Sequence, residues 1–106
     1  MQIAWTTVSD RLSAETLARA IVDQHLAVCV QIEGPLTSVY RWEGKIEEST
    51  EFRLMIKFLP ATASALESYV TTHHPYDIPE WTTVSTDSVG EKYLSWAEAN
   101  SNQSPF

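Results

Sequence analysis

Apolar and β-branched side chains crowd the first positions of the chain, where Ile3, Trp5, Thr6, Thr7 and Val8 fall between Gln2 and Val8. That set suits a buried strand. From Ala14 the period changes: Ala14, Leu17, Ala18, Ile21, Val22 and His25 recur at three- and four-residue spacing. This is one helical face, with Asp10 and Ser13 as possible caps, and it predicts a helix to about Leu26. Ala27–Ile32 and Leu36–Trp42 read as extended, interrupted at Glu33, Gly34 and Pro35, where a bend or bulge is expected. Glu43-Gly44 supplies a turn, and Lys45–Phe58 returns with Phe52, Leu54, Ile56 and Phe58 on one face.

Pro60 suits the first turn of a second helix, in which Leu66, Tyr69, Val70 and His73 share a face before the stop at Pro75. Ile78–Ser85 reads as a fourth strand, and Tyr93–Ala99 as a short closing helix. The order βαββαβ plus a helix, joined by right-handed crossovers, predicts an α+β ferredoxin-like sandwich with a long β2-β3 hairpin. Each hairpin arm approaches about twice the usual strand length of five or six residues. Arms that long overrun a small domain, and a distal edge carrying Tyr40, Trp42 and Ile46 predicts pairing with partner chains.

The length of 106 residues fits a single domain over 1–106, with Asn100–Phe106 expected to form a flexible tail. Fourteen acidic against seven basic residues give a net charge of −7, which argues against nucleic acid as a partner. The lone Cys29 and the lack of a long apolar run predict no internal disulfide and no membrane span, and favour a reducing cytoplasm. No Gly-rich phosphate loop, paired Cys-His spacing or Ser-His-Asp signature appears, so a non-enzymatic role is expected.

Several separate segments, in order, resemble the CutA divalent-cation tolerance family: Leu26-Ala27-Val28-Cys29-Val30, Thr37–Lys45, Ile56-Lys57 and His73–Glu80. Thr7 with Asp10 and Tyr93-Leu94-Ser95-Trp96 add to the likeness, which spans nearly the whole chain. The resemblance implies a homotrimer similar to PII signal proteins, in which long hairpins join neighbouring sheets. It also implies an association with copper and other divalent cations, and no defined reaction. Some relatives carry a cysteine near the end of the first strand, where this chain has Thr6.

Two constellations carry the candidate chemistry. His73 and His74 are metal candidates, since neutral imidazole ligates copper, zinc and nickel. Neighbours on a helix point about 100° apart, so the pair can share an ion only where the helix has ended. The competing reading is structural, with His73 capping the helix dipole and His74 bonding locally. Cys29 is the one thiol available to join them; in an apolar strand a free cysteine usually packs as a small hydrophobe.

The second constellation is Tyr40, Trp42, Lys57, Tyr76 and Glu80. Aromatic walls, a cation and a carboxylate can line an intersubunit cleft for a small anionic ligand or planar metabolite, with Glu80 orienting Lys57. The same residues serve equally as trimer packing. Glu43, Glu47, Glu48 and Glu51 flank the hairpin tip and read as solvation of an exposed edge. Three functions follow: metal-binding homeostasis, PII-like sensing of a small anion, and a rigid trimeric scaffold.

Overall fold

A computed structural model describes residues 1–101. Its elements are β1 (Gln2–Val8), α1 (Arg11–Asp23), β2 (Cys29–Trp42), β3 (Lys45–Phe58), α2 (Ala63–His73), β4 (Thr82–Ser85) and α3 (Glu91–Ser101), with a 3-10 turn at Pro60–Thr62 leading into α2. The four strands form one antiparallel sheet in the order β2-β3-β1-β4. This is the predicted ferredoxin-like arrangement with an additional C-terminal helix.

Alternation along the strands decides which face is buried. Ala4, Thr6 and Val8 of β1 and Leu54, Ile56 and Phe58 of β3 point to one side. There they meet Ala14, Leu17, Ala18 and Ile21 of α1 and Leu66 and Val70 of α2. The opposite side of β3 carries Glu51, Arg53, Met55 and Lys57, facing away from α1 and α2. Asp10 caps α1 as its position predicts, its carboxylate accepting from the Ser13 amide at 2.8 Å and the Ser13 hydroxyl at 3.0 Å. Those bonds, the amide first, hold its carboxyl below the usual carboxylate range.

Helix α1 stops at Asp23, three residues before Leu26. His25 adopts φ 59°, and the amides of His25 and Leu26 turn back to the carbonyls of Val22 and Ile21 at 3.0 Å each. Such a left-handed residue closes a Schellman cap, a role more often filled by glycine. The His25 ring then donates from Nδ1 to the Asn100 carbonyl at 3.1 Å, tying α3 to this corner.

The hairpin closes through Glu43 (φ 50°) and Gly44 (φ 80°), a two-residue turn of the twist that antiparallel strands favour. The interruption at Glu33–Pro35 is a bulge: Glu33 faces Arg53 but Leu36 faces Glu51. Gly34 has φ 152° there, and a Cβ on it would stand 2.5 Å from the Phe52 ring and 3.1 Å from the Glu51 carbonyl oxygen. The hairpin makes the molecule elongated, 50 × 29 × 21 Å.

Three further elements differ from expectation at their ends. The fourth strand begins at Thr82, not Ile78, because Pro79 contributes no amide to a ladder. β2 begins at Cys29, although the Val28 amide already donates to the Lys57 carbonyl. α3 runs from Glu91 to Ser101, so Asn100 and Ser101 of the expected tail are helical; the remainder of that tail lies outside the described residues.

Candidate functional site

His74 sits just past the end of α2 with extended backbone (φ −74°, ψ 137°), so its ring turns inward, away from the side of the helix that carries His73. It is 9% exposed. Its Nδ1 accepts from the Tyr76 amide at 3.0 Å, which fixes the proton on Nε2. From there it donates to the Thr7 carbonyl at 3.0 Å, with Thr6 Oγ1 at 3.1 Å. Burial pushes the imidazole below its ordinary value, while the Thr7 bond and the Glu51 charge pull the other way. Both ring nitrogens are therefore committed inside the fold.

His73 is exposed and stacks on Tyr69, ring centroids 4.0 Å apart, with Nδ1 donating to the Tyr69 carbonyl at 2.9 Å. Cys29 lies across the sheet from Lys57, on the side away from α1 and α2, and is partly exposed. Among the described residues no three His, Cys, Asp or Glu side chains converge as metal ligands. Within one chain, then, His73, His74 and Cys29 do not fit a single metal ion: one is outward, one is locked by hydrogen bonds, and the thiol is elsewhere.

The second constellation is split along the same face. Tyr40 and Trp42 stand opposite Glu47 and Lys45 on the hairpin, in phase with the Leu36–Glu51 pair, and are 42% and 50% exposed. Tyr76 reaches that face from the loop after α2 and donates its hydroxyl to Glu51 Oε2 at 2.7 Å. Burial first, and then the Glu51 carboxylate, drive the phenol well above its ordinary value. Lys57 lies six residues farther along β3, roughly 20 Å at strand rise. Its Nζ stands 5.8 Å from the Tyr93 ring of α3. Glu80 accepts from the Thr82 hydroxyl at 3.2 Å. Within a chain, Glu80 does not orient Lys57, and neither joins Tyr76.

Glu51 is the buried carboxylate at this site that pattern reading passed over. Grouped with the hairpin-tip acids as edge solvation, it is instead 8% exposed and hydrogen-bonded to Tyr76. The available signal was its phase: Glu51 falls in step with Arg53, Met55 and Lys57, at the point where β3 enters the domain.

The family model for the CutA1 divalent ion tolerance protein matches residues 2–100. The CutA homolog of Xenopus laevis is 38% identical over 96 residues, covering 91% of this chain and 64% of its own. The divalent-cation tolerance protein CutA of Yersinia pestis (strain Pestoides F) is 37% identical over 94 residues, 89% of this chain and 79% of its own. The chain thus spans a little under two thirds of the Xenopus relative and 52% of the mouse one. Among solved structures, the divalent cation tolerance protein of Thermus thermophilus superposes with a TM-score of 0.89 at 35% identity, covering 94% of this chain and 98% of its own. CutA1 of Pyrococcus horikoshii gives 0.92 at 30% identity, covering 97% and 100%. With a family match over nearly its whole length and relatives well above 30% identity, the chain belongs to the CutA1 divalent ion tolerance protein family.

Proposed function

We propose that the chain acts in divalent-cation tolerance as a homotrimer whose contact with copper or another divalent ion is weak, and that it does so without catalysing a reaction. The observation that carries the assembly is the distal hairpin, where Val39, Tyr40, Trp42 and Ile46 are 62%, 42%, 50% and 62% exposed on one chain. Two paired arms bearing that much apolar surface call for cover from neighbouring copies. The weak metal contact follows from the imidazoles: His73 Nε2 is the one ring nitrogen of the pair that makes no hydrogen bond among the described residues. Light scattering tests the assembly, and a monomer mass at micromolar concentration would refute it. Copper calorimetry on wild type and His73→Ala tests the contact.

A second reading, PII-like sensing of a small anion between subunits, is favoured by Lys57. Its ammonium faces Tyr93 and has no carboxylate partner among the described residues. Phosphate should then raise the melting temperature of wild type and leave Lys57→Met unmoved.

A further inference from the structure

We propose that Glu51 is the anionic floor of a receiving site for an ammonium group, bordered by the phenol of Tyr76. Among the described residues Glu51 is the one carboxylate that is buried. A carboxylate withdrawn from water without a cation is penalised unless hydrogen bonds replace its hydration. Glu51 receives one such bond within the described chain, from Tyr76. Its two oxygens offer about four acceptor positions.

The neighbouring cations are already engaged. Arg53, two residues along the strand, donates to Glu33 Oε1 from Nε at 3.1 Å and from an outer guanidinium nitrogen at 3.0 Å. Arg11 donates to the Gly34 carbonyl at 3.3 Å and lies 5.0 Å over the Phe52 ring. His74, whose neutral ring is committed to Thr7 and Tyr76, supplies no charge. No buried side-chain oxygen among the described residues lacks a partner, so Oε1, which receives no bond there, is the carboxylate atom open to solvent.

The surrounding groups choose the ligand class. A transition metal would need nitrogen or sulfur donors, and calcium six to eight oxygens. One carboxylate beside a phenol suits instead a compact ammonium, which makes a charge-assisted hydrogen bond and tolerates an aromatic neighbour. Tyr40 is in phase with Glu51 but stands four positions nearer the hairpin tip, opposite Glu47, so Tyr76 is the ring that borders the carboxylate. The ammonium has two sources, a free primary amine or a lysine of a second copy.

The test is a titration of wild type and Glu51→Gln with butylammonium chloride at neutral pH, read by calorimetry, with light scattering in parallel. Glutamine keeps the shape and still accepts from Tyr76. Binding to wild type that weakens at least about tenfold in Glu51→Gln, with assembly unchanged, supports the site with a free amine as its ligand. Displacement of wild-type assembly by butylammonium, absent in Glu51→Gln, supports it with the lysine of a second copy. Equal behaviour of the two proteins in both measurements overturns it. Should Glu51→Gln fail to fold, the Tyr76 ring resonances of wild type decide: shifts on adding butylammonium but not sodium chloride support the site, and their absence overturns it. The trimer mass of wild type is read separately, so failure of the assembly reading and failure of this site are distinguishable.

Discussion

His74 Nε2 lies 3.1 Å from Thr6 Oγ1, in the sealed space between the end of α2 and β1. A hydroxyl there accepts or donates a hydrogen bond but is a poor ligand for copper or zinc, whereas a thiolate binds both well. Thr6→Cys should therefore convert a structural contact into half of a metal site. Zinc or copper affinity is expected to rise by at least about tenfold, because a soft donor then faces an imidazole nitrogen that can exchange its proton for the ion. Calorimetry with each metal checks this; unchanged affinity would mean that the Thr7 carbonyl holds the His74 proton too firmly to be displaced.

The same burial makes His74 a source of pH dependence. Its value in the folded chain is depressed below the ordinary 6.5, so the unfolded chain binds the proton more readily. Stability should be fully present above pH 6.5 and fall as the pH drops below it, because protonating Nδ1 removes the acceptor of the Tyr76 amide. Urea unfolding at fixed protein concentration, between neutral pH and about pH 5, should show this loss in wild type and a smaller one in His74→Gln.

At Gly34 the chain has little tolerance. A methyl group would meet the Phe52 ring at 2.5 Å while the backbone sits at φ 152°, a region that other L-residues avoid. Gly34→Ala should destabilise the protein by about 1–3 kcal/mol, the range for overpacking with strain. Gly44, whose added Cβ meets nothing within 4 Å, is the control: Gly44→Asn should lose far less, since Asn tolerates positive φ. Denaturant midpoints of the two variants would reverse this order if the bulge relaxes freely.

Much of this fold was legible because hydrophobic period and backbone chemistry agreed. Gln2–Val8 was set by its β-branched run, the hairpin by Glu43-Gly44, and the bulge by Gly34-Pro35, all of them local signals. The site was less legible because its geometry depends on long-range partners. Nothing near Glu51 in sequence announces Tyr76, twenty-five positions later, and nothing near Lys57 announces Tyr93. The adjacency of His73 and His74 suggested a chelate, yet the helix terminus between them sends one ring outward and the other into hydrogen bonds with β1.

Trp42 carries the sharpest prediction about assembly. It ends β2 beside the turn, pairs with Lys45, and leaves half of its surface exposed on a single chain. No core residue lies near enough to make it important for the monomer fold, since the buried cluster ends at the domain end of the hairpin. If neighbouring copies cover the arms, truncating this indole removes an interface anchor, a change that commonly costs at least about 2 kcal/mol of association. Trp42→Ala should then raise the subunit concentration at half-assembly by about thirtyfold or more, the ratio that corresponds to that energy. Far-UV circular dichroism of the dilute variant should keep the wild-type shape, because the core packing of α1 and α2 on the sheet is untouched. Sedimentation across a dilution series measures the shift. A Trp42→Ala protein that stays assembled as tightly as wild type would place the interface away from the distal hairpin.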